Sequence, residues 1–144
     1  MARVLFYLVV LLSVFPSLSL AQATFGSVVI SRVVSVYDGD TFRVDIDHWP
    51  ALVGQSAPIR VKQVDTPEIR GKCASEKALA QRAKLFTQAL LLNSQQVELR
   101  NIERGKYFRI LADVYIDGQS LASQLIANNL ARPYQGGKRR GWCE

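Results

Sequence analysis

The sequence predicts a mainly β fold of the α+β class, organised as a single domain. Three observations support this: β-branched runs that end at turn residues, one apolar and polar alternation with a period of two, and one long stretch with helical spacing. With 144 residues, 49% apolar and 21% charged, the chain can form the core of one ordinary domain. Two cysteines and one histidine cannot form a structural zinc site of the usual four cysteine or histidine ligands.

Residues 1–23 have the pattern of a secretory signal peptide. Arg3 precedes an apolar stretch from Val4 to Phe15, and Ala21-Gln22-Ala23 forms a small-residue cleavage site. Such a stretch rises only about 18 Å as a helix, whereas the hydrocarbon core of a bilayer is roughly 30 Å thick, so it is too short to span a membrane. We expect a periplasmic or secreted protein whose mature domain covers residues 24–144 with a basic C-terminal tail. If the segment is not cleaved, it would act as a short membrane tether.

The first three predicted strands are separated by turn residues. Residues 27–37 are rich in β-branched side chains and stop at Asp38-Gly39, a turn signal. Residues 41–47 alternate between apolar and charged side chains, which is the period of a half-buried strand. Two prolines and a glycine make residues 48–58 a loop, and a third strand is predicted over residues 59–65.

The second half of the chain combines helices and strands. The long helix is predicted over residues 75–92, where apolar side chains recur at spacings of three and four, with Ser75 as its N-cap. Strands over 95–101 and 107–116 follow. A short helix over 120–128 comes next, with Asn129 as a left-handed C-cap.

This order of elements favours one particular architecture. Five strands, with the long helix between the third and the fourth, predict a closed antiparallel Greek-key barrel of the OB type with one long and one short helix. An open α+β sheet is the alternative. OB barrels commonly bind oligonucleotides, and the formal net charge of +6 favours a polyanionic partner, either nucleic acid or anionic lipid.

Asp40 and Asp65 are predicted to lie close together at one end of the barrel. If the second and third strands pair so that Asp47 opposes Ile59, then Thr41 opposes Asp65, and Asp40 lies beside it. Both carboxylates share the apolar parity of their strands, so they point toward the barrel mouth. Adjacent, partly desolvated carboxylates need a proton or a cation between them, and oxygen ligands alone favour calcium or magnesium.

Other charged residues would complete a phosphodiester site at this mouth. Glu68 follows Asp65 by three residues and supplies a carboxylate that can take a proton from water. Arg60 and Arg109 would clamp a phosphate and stabilise the charge that develops on it. The same aspartates also suit ordinary turns, and strand parity does not place Arg60 beside Asp65, so turn residues and solvated surface charges remain the alternative interpretation.

Three blocks of sequence resemble the staphylococcal nuclease (thermonuclease) family in order and internal spacing. The blocks are Val36-Tyr37-Asp38-Gly39-Asp40-Thr41, Arg60-Val61-Lys62-Gln63-Val64-Asp65-Thr66-Pro67-Glu68 and Lys106-Tyr107-Phe108-Arg109. The resemblance covers roughly residues 27–134. It implies a calcium-dependent phosphodiesterase on an OB barrel, and we expect an endonuclease that hydrolyses DNA and RNA with little sequence preference.

The resemblance also implies roles for individual residues. The calcium ligands would be Asp40, Asp65 and the Thr66 carbonyl oxygen, the catalytic residues Arg60, Glu68 and Arg109, and the substrate contacts Lys106, Tyr107 and Tyr134. Among these, Glu68 would be the general base, and the two arginines would bind the scissile phosphate. Phe108 departs from the pattern, because better-known members of the family carry glycine at that position.

Two other function classes stay open from the sequence. One is a catalytically inactive OB module that binds nucleic acid through the same basic face. The other is a basic envelope or membrane-surface protein, since the tail Lys138-Arg139-Arg140 would suit anionic lipid. For the nuclease interpretation we infer no protein partner and expect a monomer.

Export favours a disulfide between Cys73 and Cys143. Exported proteins enter an oxidising compartment, in which an even pair of cysteines is usually bridged. The bridge would anchor the C-terminus, and we expect it to serve stability rather than chemistry. Two unpaired thiols are the alternative, because the sequence does not give the separation of the two residues.

Overall fold

The structure is a computed structural model that describes residues 24–143, so the predicted signal peptide over residues 1–23 lies outside the described residues. The strands in this part of the chain are β1 (Val28–Val29), β2 (Arg32–Val36), β3 (Thr41–Asp45), β4 (Ala57–Val61), β5 (Val64–Asp65), β6 (Val97–Arg104), β7 (Ile110–Ile116), β8 (Gln119–Ser120) and β9 (Arg132–Pro133). The α-helices are α1 (Ala51–Gly54), α2 (Ala74–Asn93) and α3 (Leu121–Ala127), and a 3-10 turn covers Lys106–Phe108. Within residues 24–143, none of the helices combines the length and the apolar content that crossing a membrane requires.

In the described part of the chain, one mixed sheet contains seven strands: six in the order β1-β6-β7-β4-β3-β2, and β8, which pairs with β7. Its two outer members, β1 and β2, follow each other in the chain and pair with β6 and β3, respectively. The sheet therefore curls into the predicted OB-type arrangement. The prediction that all pairs are antiparallel is wrong, because β4 and β7 are parallel. α2 and β6 lie between them in sequence and provide the long crossover that a parallel pair needs.

The core lies between the inner face of this sheet and the helices. On β3, Phe42 and Val44 are fully buried while Arg43 between them is exposed, so the predicted alternation is confirmed. On α2 the buried side chains include Ala83 and Leu91, and Leu79, Phe86 and Leu90 pack against the cluster from its edge. Helix and barrel therefore share one core, so α2 is fixed relative to the strand ends.

Three predicted boundaries are wrong. The first predicted strand is interrupted between β1 and β2, the loop over residues 48–58 contains α1 and the start of β4, and the fifth strand begins only after the 3-10 turn. Ser75 is not the N-cap of α2, because the helix begins at Ala74 with Cys73 at the cap. The Cys73 side chain makes no capping hydrogen bond, and the Glu76 carboxylate in the first turn accepts the backbone N–H of Lys72 at 2.9 Å.

The C-terminal end of α3 agrees with the sequence. Asn129 has a φ of 56°, the left-handed conformation predicted for a C-cap. Its backbone N–H donates to the carbonyl oxygen of Ile126 at 3.0 Å. The chain then reverses toward β9.

The pairing of β3 with β4 differs from the predicted register. Thr41 lies opposite Arg60 rather than opposite Asp65. The physical reason is that opposed residues share a face, and this register puts the buried Phe42 opposite the buried Ile59, which the predicted register does not. A left-handed turn at Gln63, with a φ of 66°, then separates β4 from β5. β5 pairs with β9 instead, and Asp65 lies opposite Arg132. The turn brings Asp65 to the site on a separate short strand.

The predicted disulfide is present. Cys73 and Cys143 are bonded, with their Cα atoms 5.9 Å apart. The bond ties the N-cap residue of α2 to the C-terminal segment. That segment is thereby held against the loop between β5 and α2.

Breaking this disulfide is expected to lower the melting temperature. The bond joins residues 70 positions apart. Loop-closure entropy gives about 4 kcal/mol as an upper value for such a loop. In scanning calorimetry, the native protein in reductant and a Cys73→Ser/Cys143→Ser variant should both melt below the oxidised protein. The variant is its own control, because reductant should not change its melting temperature. An unchanged melting temperature for the reduced native protein would contradict the expectation.

Candidate active site

Asp40 is a fully buried carboxylate in the turn between β2 and β3. Its Oδ1 forms an ion pair with Arg60 and accepts the Thr41 hydroxyl at 3.0 Å, while its Oδ2 accepts the Thr66 backbone N–H at 3.2 Å. Burial raises the pKa of Asp40 to about 7, although the neighbouring Arg60 acts in the opposite direction. Arg60 therefore offsets only part of the cost of burying this negative charge.

The turn that carries Asp40 is fixed against α2. A Cβ atom at Gly39 would lie 2.8 Å from the Cβ of Ala83, so only glycine fits at this position. Thr87, also on α2, donates its hydroxyl to the Gly39 carbonyl oxygen at 2.7 Å. Asp38 accepts the backbone N–H of Asp40 at 3.1 Å. Helix and turn together therefore hold Asp40 at a defined position.

Asp65 is a second buried carboxylate, and one of its oxygens lacks a hydrogen bond. Its Oδ2 accepts the indole N–H of Trp142 at 3.2 Å. Its Oδ1 is buried and accepts no hydrogen bond within residues 24–143. Two guanidinium groups are nearby, with Arg139 Nε at 3.1 Å and Arg60 Nη2 at 3.8 Å from Oδ1. A buried carboxylate oxygen without a hydrogen bond is unusual and is typical of a ligand atom.

The oxygen donors of this cluster fit a hard divalent cation. Asp40, Asp65 and Thr66 are all buried, and the backbone N–H of Thr66 donates to Asp40. The two carboxylates and the Thr66 carbonyl oxygen supply only oxygen, and Asp65 Oδ1 has unused acceptor capacity. Calcium and magnesium prefer such donors.

Glu68 lies at the edge of the cluster with its side chain 48% exposed. Its backbone N–H donates to Glu76 Oε1 at 3.4 Å, and its carboxylate accepts the guanidinium of Arg139 at 2.5 Å. Gly71 allows the loop to close over Glu76, because a Cβ there would lie 2.4 Å from the Glu76 carboxyl carbon. Glu68 is thus bounded by a short, tightly packed loop and by the C-terminal segment.

A cleft of about 710 Å³ adjoins the carboxylates at Thr41. Arg109 and Lys84 line it together with Tyr37 and Tyr107. Within the described chain, the Arg109 side chain makes no hydrogen bond or ion pair, so its guanidinium is available to a ligand in the cleft. The cleft is therefore basic and has aromatic walls, which suits a nucleic acid strand.

Phe108 stands where the sequence departs from the family pattern, and the backbone there is left-handed. Its φ is 56°, and that of Tyr107 is 57°. This conformation costs a residue with a side chain about 1–2 kcal/mol, so a glycine would fit position 108 more easily. The Gly105 N–H donates to the carbonyl oxygen of Arg109 at 2.7 Å and closes the turn. Arg109 therefore lines the cleft although phenylalanine, not glycine, precedes it.

The structure places the predicted site residues in two neighbouring groups and two outlying positions. The carboxylate cluster contains Asp40, Asp65, Thr66, Arg60 and Glu68, and the adjoining cleft contains Arg109 and Tyr107. Lys106 is exposed on the 3-10 turn. Tyr134 donates its hydroxyl to the carbonyl oxygen of Gly137 at 2.7 Å. Asp40 and Asp65 are both buried, and Arg60 pairs with both, although the predicted register that was to bring them together is wrong and parity did not place Arg60 there.

Several side chains around the cluster were missed by reasoning from the sequence: Lys84, Glu76, Thr87, Arg139 and Trp142. Glu76 carried a signal, because an acidic residue three positions after a helix N-cap is the capping-box pattern. For Arg139 and Trp142 the sequence held only an indirect signal. Cys143 pairs with a cysteine only five positions after Glu68, which brings Trp142 and Arg139 to the same loop.

Comparison with known proteins gives a family and two similar endonucleases. A family model described as staphylococcal nuclease homologue matches residues 58–141. Endonuclease YncB of Bacillus subtilis (strain 168) is 31% identical over 114 residues, which cover 77% of this chain and 49% of that protein. The SPbeta prophage-derived endonuclease YokF of the same organism is 32% identical over 98 residues, covering 66% of this chain and 31% of that protein.

The extent of these matches differs between the family and the relatives. The chain spans about half the length of YncB and about a third of YokF. The family model covers more than half of the 144 residues; it begins within β4 and includes β5 and the cleft residue Arg109. The chain therefore belongs to the staphylococcal nuclease family.

Proposed function

We propose that this protein is an exported, calcium-dependent endonuclease that hydrolyses DNA and RNA with little sequence preference. The observation that carries the proposal is the buried pair Asp40 and Asp65, next to Arg60 and Glu68, in which Asp65 Oδ1 is buried without a hydrogen bond. Family membership and the two endonucleases that the chain resembles support the reaction class. The disulfide supports export, since such bonds persist in oxidising compartments.

Each residue of the cluster has a distinct role in this proposal. Asp40, Asp65 and the Thr66 carbonyl oxygen would hold calcium. When bound, calcium supplies Lewis-acid polarisation of a phosphate oxygen. Glu68 accepts the proton of the attacking water, because its carboxylate is partly exposed at the edge of the cluster.

Two arginines bind the phosphate from different sides in this proposal. The ion pair with Asp40 fixes the position of Arg60. Its remaining N–H groups can then donate to a phosphate oxygen from that position. Arg109 comes from the cleft wall. Both recognise phosphate oxygens, which are common to DNA and RNA, so little discrimination between bases or sugars follows.

The two alternative functions make different use of the same surface. An inactive nucleic-acid-binding module would not need Glu68, whereas here Glu68 is held beside the carboxylate cluster. A membrane-surface protein would use the basic tail, but Arg139 of that tail is paired with Asp65 and Glu68. A nuclease assay with calcium, magnesium or chelator on single-stranded DNA tests all three functions.

Activity should depend on calcium and on Asp40. Chelator should abolish hydrolysis, calcium should restore it, and magnesium should restore it only in part, because magnesium requires stricter octahedral geometry. Asp40→Asn should weaken calcium binding in calorimetry, since it removes a charged ligand. Asp47→Asn, at an exposed position, is the matched control. Equal rates with magnesium after complete removal of calcium would contradict the metal assignment.

Glu68→Gln should lower turnover more than substrate affinity. The amide keeps the size of the side chain but cannot take a proton, and a general base contributes about 10²- to 10⁴-fold. Steady-state kinetics on single-stranded DNA separate kcat from KM. Glu98→Gln, at a residue that pairs with Arg100, controls for the loss of one carboxylate. Unchanged turnover in Glu68→Gln would mean that another group activates water.

Arg109→Lys should be nearly as damaging as Arg109→Ala. Lysine keeps the charge but loses the planar fork that binds two phosphate oxygens. The comparison of kcat/KM for the two variants measures this difference. Near-normal activity of the lysine variant would show that Arg109 does not bind the phosphate bidentately and that Arg60 holds it alone.

A further inference from the structure

We propose that the C-terminal segment, residues 136–143, forms one wall of the active site and that Arg139 is a positioning residue for Glu68. The proposal rests on the endonuclease function proposed above. It assigns the disulfide a second role beyond stability, because the bond holds this wall in place.

The contacts of Arg139 carry the proposal. Its Nη1 lies 2.5 Å from Glu68 Oε1, and its Nε lies 3.1 Å from Asp65 Oδ1. One guanidinium thus bridges the proposed base and a proposed calcium ligand. A planar group with several N–H donors can fix two carboxylates relative to each other, whereas a lysine ammonium acts as a point charge.

Glu68 needs such a partner because little else orients its side chain. Within residues 24–143, the Glu68 carboxylate has only Arg139 as a hydrogen-bond or ion-pair partner. The neighbouring Glu76 holds the Glu68 backbone, not its carboxylate. An exposed glutamate without a partner samples several rotamers, and a general base must stay within hydrogen-bond reach of its water.

Other contacts of the segment keep Arg139 in position. The Trp142 indole N–H donates to Asp65, and the guanidinium of Arg132 lies 3.8 Å from the centre of the indole ring. Arg132 also donates to the carbonyl oxygen of Gly141 at 2.8 Å. Arg132 belongs to β9, which pairs with the strand of Asp65. The segment is therefore attached to the strand that supplies the carboxylate as well as to the disulfide.

The N-terminal end of the C-terminal segment is held by Tyr134. Its hydroxyl donates to the carbonyl oxygen of Gly137, and the Arg139 guanidinium lies 5.8 Å from the centre of its ring. Gly136 and Gly137 have φ values of 97° and 89°, which allow the chain to turn back toward Glu68. In this structure Tyr134 contacts Gly137 and Arg139, whereas the family resemblance implies a contact with substrate.

Kinetics of Arg139 variants test the proposal against its matched neighbour, Arg140. Arg140 is exposed and carries the same charge. Arg139→Ala should lower kcat by about 10- to 100-fold, as for other groups that orient a site residue, with little change in KM. Arg139→Lys should recover only a minor part of kcat, whereas guanidinium ion added to Arg139→Ala should recover more. Arg140→Ala should keep the native kcat.

Calcium affinity provides a readout that is independent of turnover. Arg139 places positive charge next to Asp65, so removing it should leave calcium binding as tight as in the native protein or tighter. Tight calcium binding together with a low kcat in Arg139→Ala supports positioning of Glu68. Loss of both would indicate collapse of the site and would overturn the proposal. A kcat that rises in Arg139→Ala would also overturn it, because the segment would then be an obstruction.

The disulfide is tested by a double-mutant cycle at a temperature well below unfolding. Cys73→Ser/Cys143→Ser should lower kcat, and adding Arg139→Ala to it should cause little further loss, since both changes remove the same contact. Multiplicative losses would overturn the role of the disulfide in holding Arg139. If the native protein does not hydrolyse nucleic acid, the proposed function and this proposal both fail. If the native protein is active and the kcat of Arg139→Ala equals that of Arg140→Ala, this proposal alone fails.

Discussion

The buried negative charge of Asp40 and Asp65 is the constraint on which the rest of the structure depends. Two carboxylates removed from water at one end of a small barrel are costly unless cations face them. Arg60 lies on β4, opposite Thr41 of β3, and Arg139 lies in the C-terminal segment. The two guanidinium groups offset part of the cost of burying this charge, and both lie near the Asp65 oxygen that lacks a hydrogen bond.

The fold meets this constraint with rigid neighbours rather than with long loops. Gly39 lets the Asp40 turn touch α2, and Thr87 fixes that turn with a hydrogen bond. Glu76 does the same for the loop that carries Glu68. Because α2 shares its core with the barrel, any movement of these loops would disturb the packing of the whole domain. For the proposed nuclease function, this arrangement would keep the reacting groups in place without a substrate to order them.

The sequence predicted the long helix, the short helix and the burial of the two aspartates, but not the strand register or the contacts of the cluster. Alternation on β3 and the parity of Asp40 and Asp65 predicted which side chains are buried, because period-two patterns report burial directly. The predicted register was wrong, because it paired even-numbered residues with each other, whereas the buried apolar side chains are even-numbered on β3 and odd-numbered on β4. The left-handed turn at Gln63, which no glycine or proline indicates, brings Asp65 close to Arg60. Arg139 lies in a glycine-rich, basic segment without periodicity. Only the disulfide between Cys143 and Cys73 indicated from the sequence that this segment lies near the site.

Two parts of the chain border the site, and they are stabilised differently. One is the turn at Tyr107 and Phe108, and the other is the C-terminal segment. On the cleft side, Tyr107 and Phe108 hold left-handed backbone with exposed rings, so Arg109 is presented from a strained turn. On the other side, the C-terminal segment has almost no core of its own and is fixed by polar contacts and one covalent bond. A barrel of this size has little further apolar surface with which to bury a tail. Covalent attachment therefore holds the segment that carries Arg139, and the position of this arginine beside Asp65 and Glu68 depends on the bond between Cys73 and Cys143.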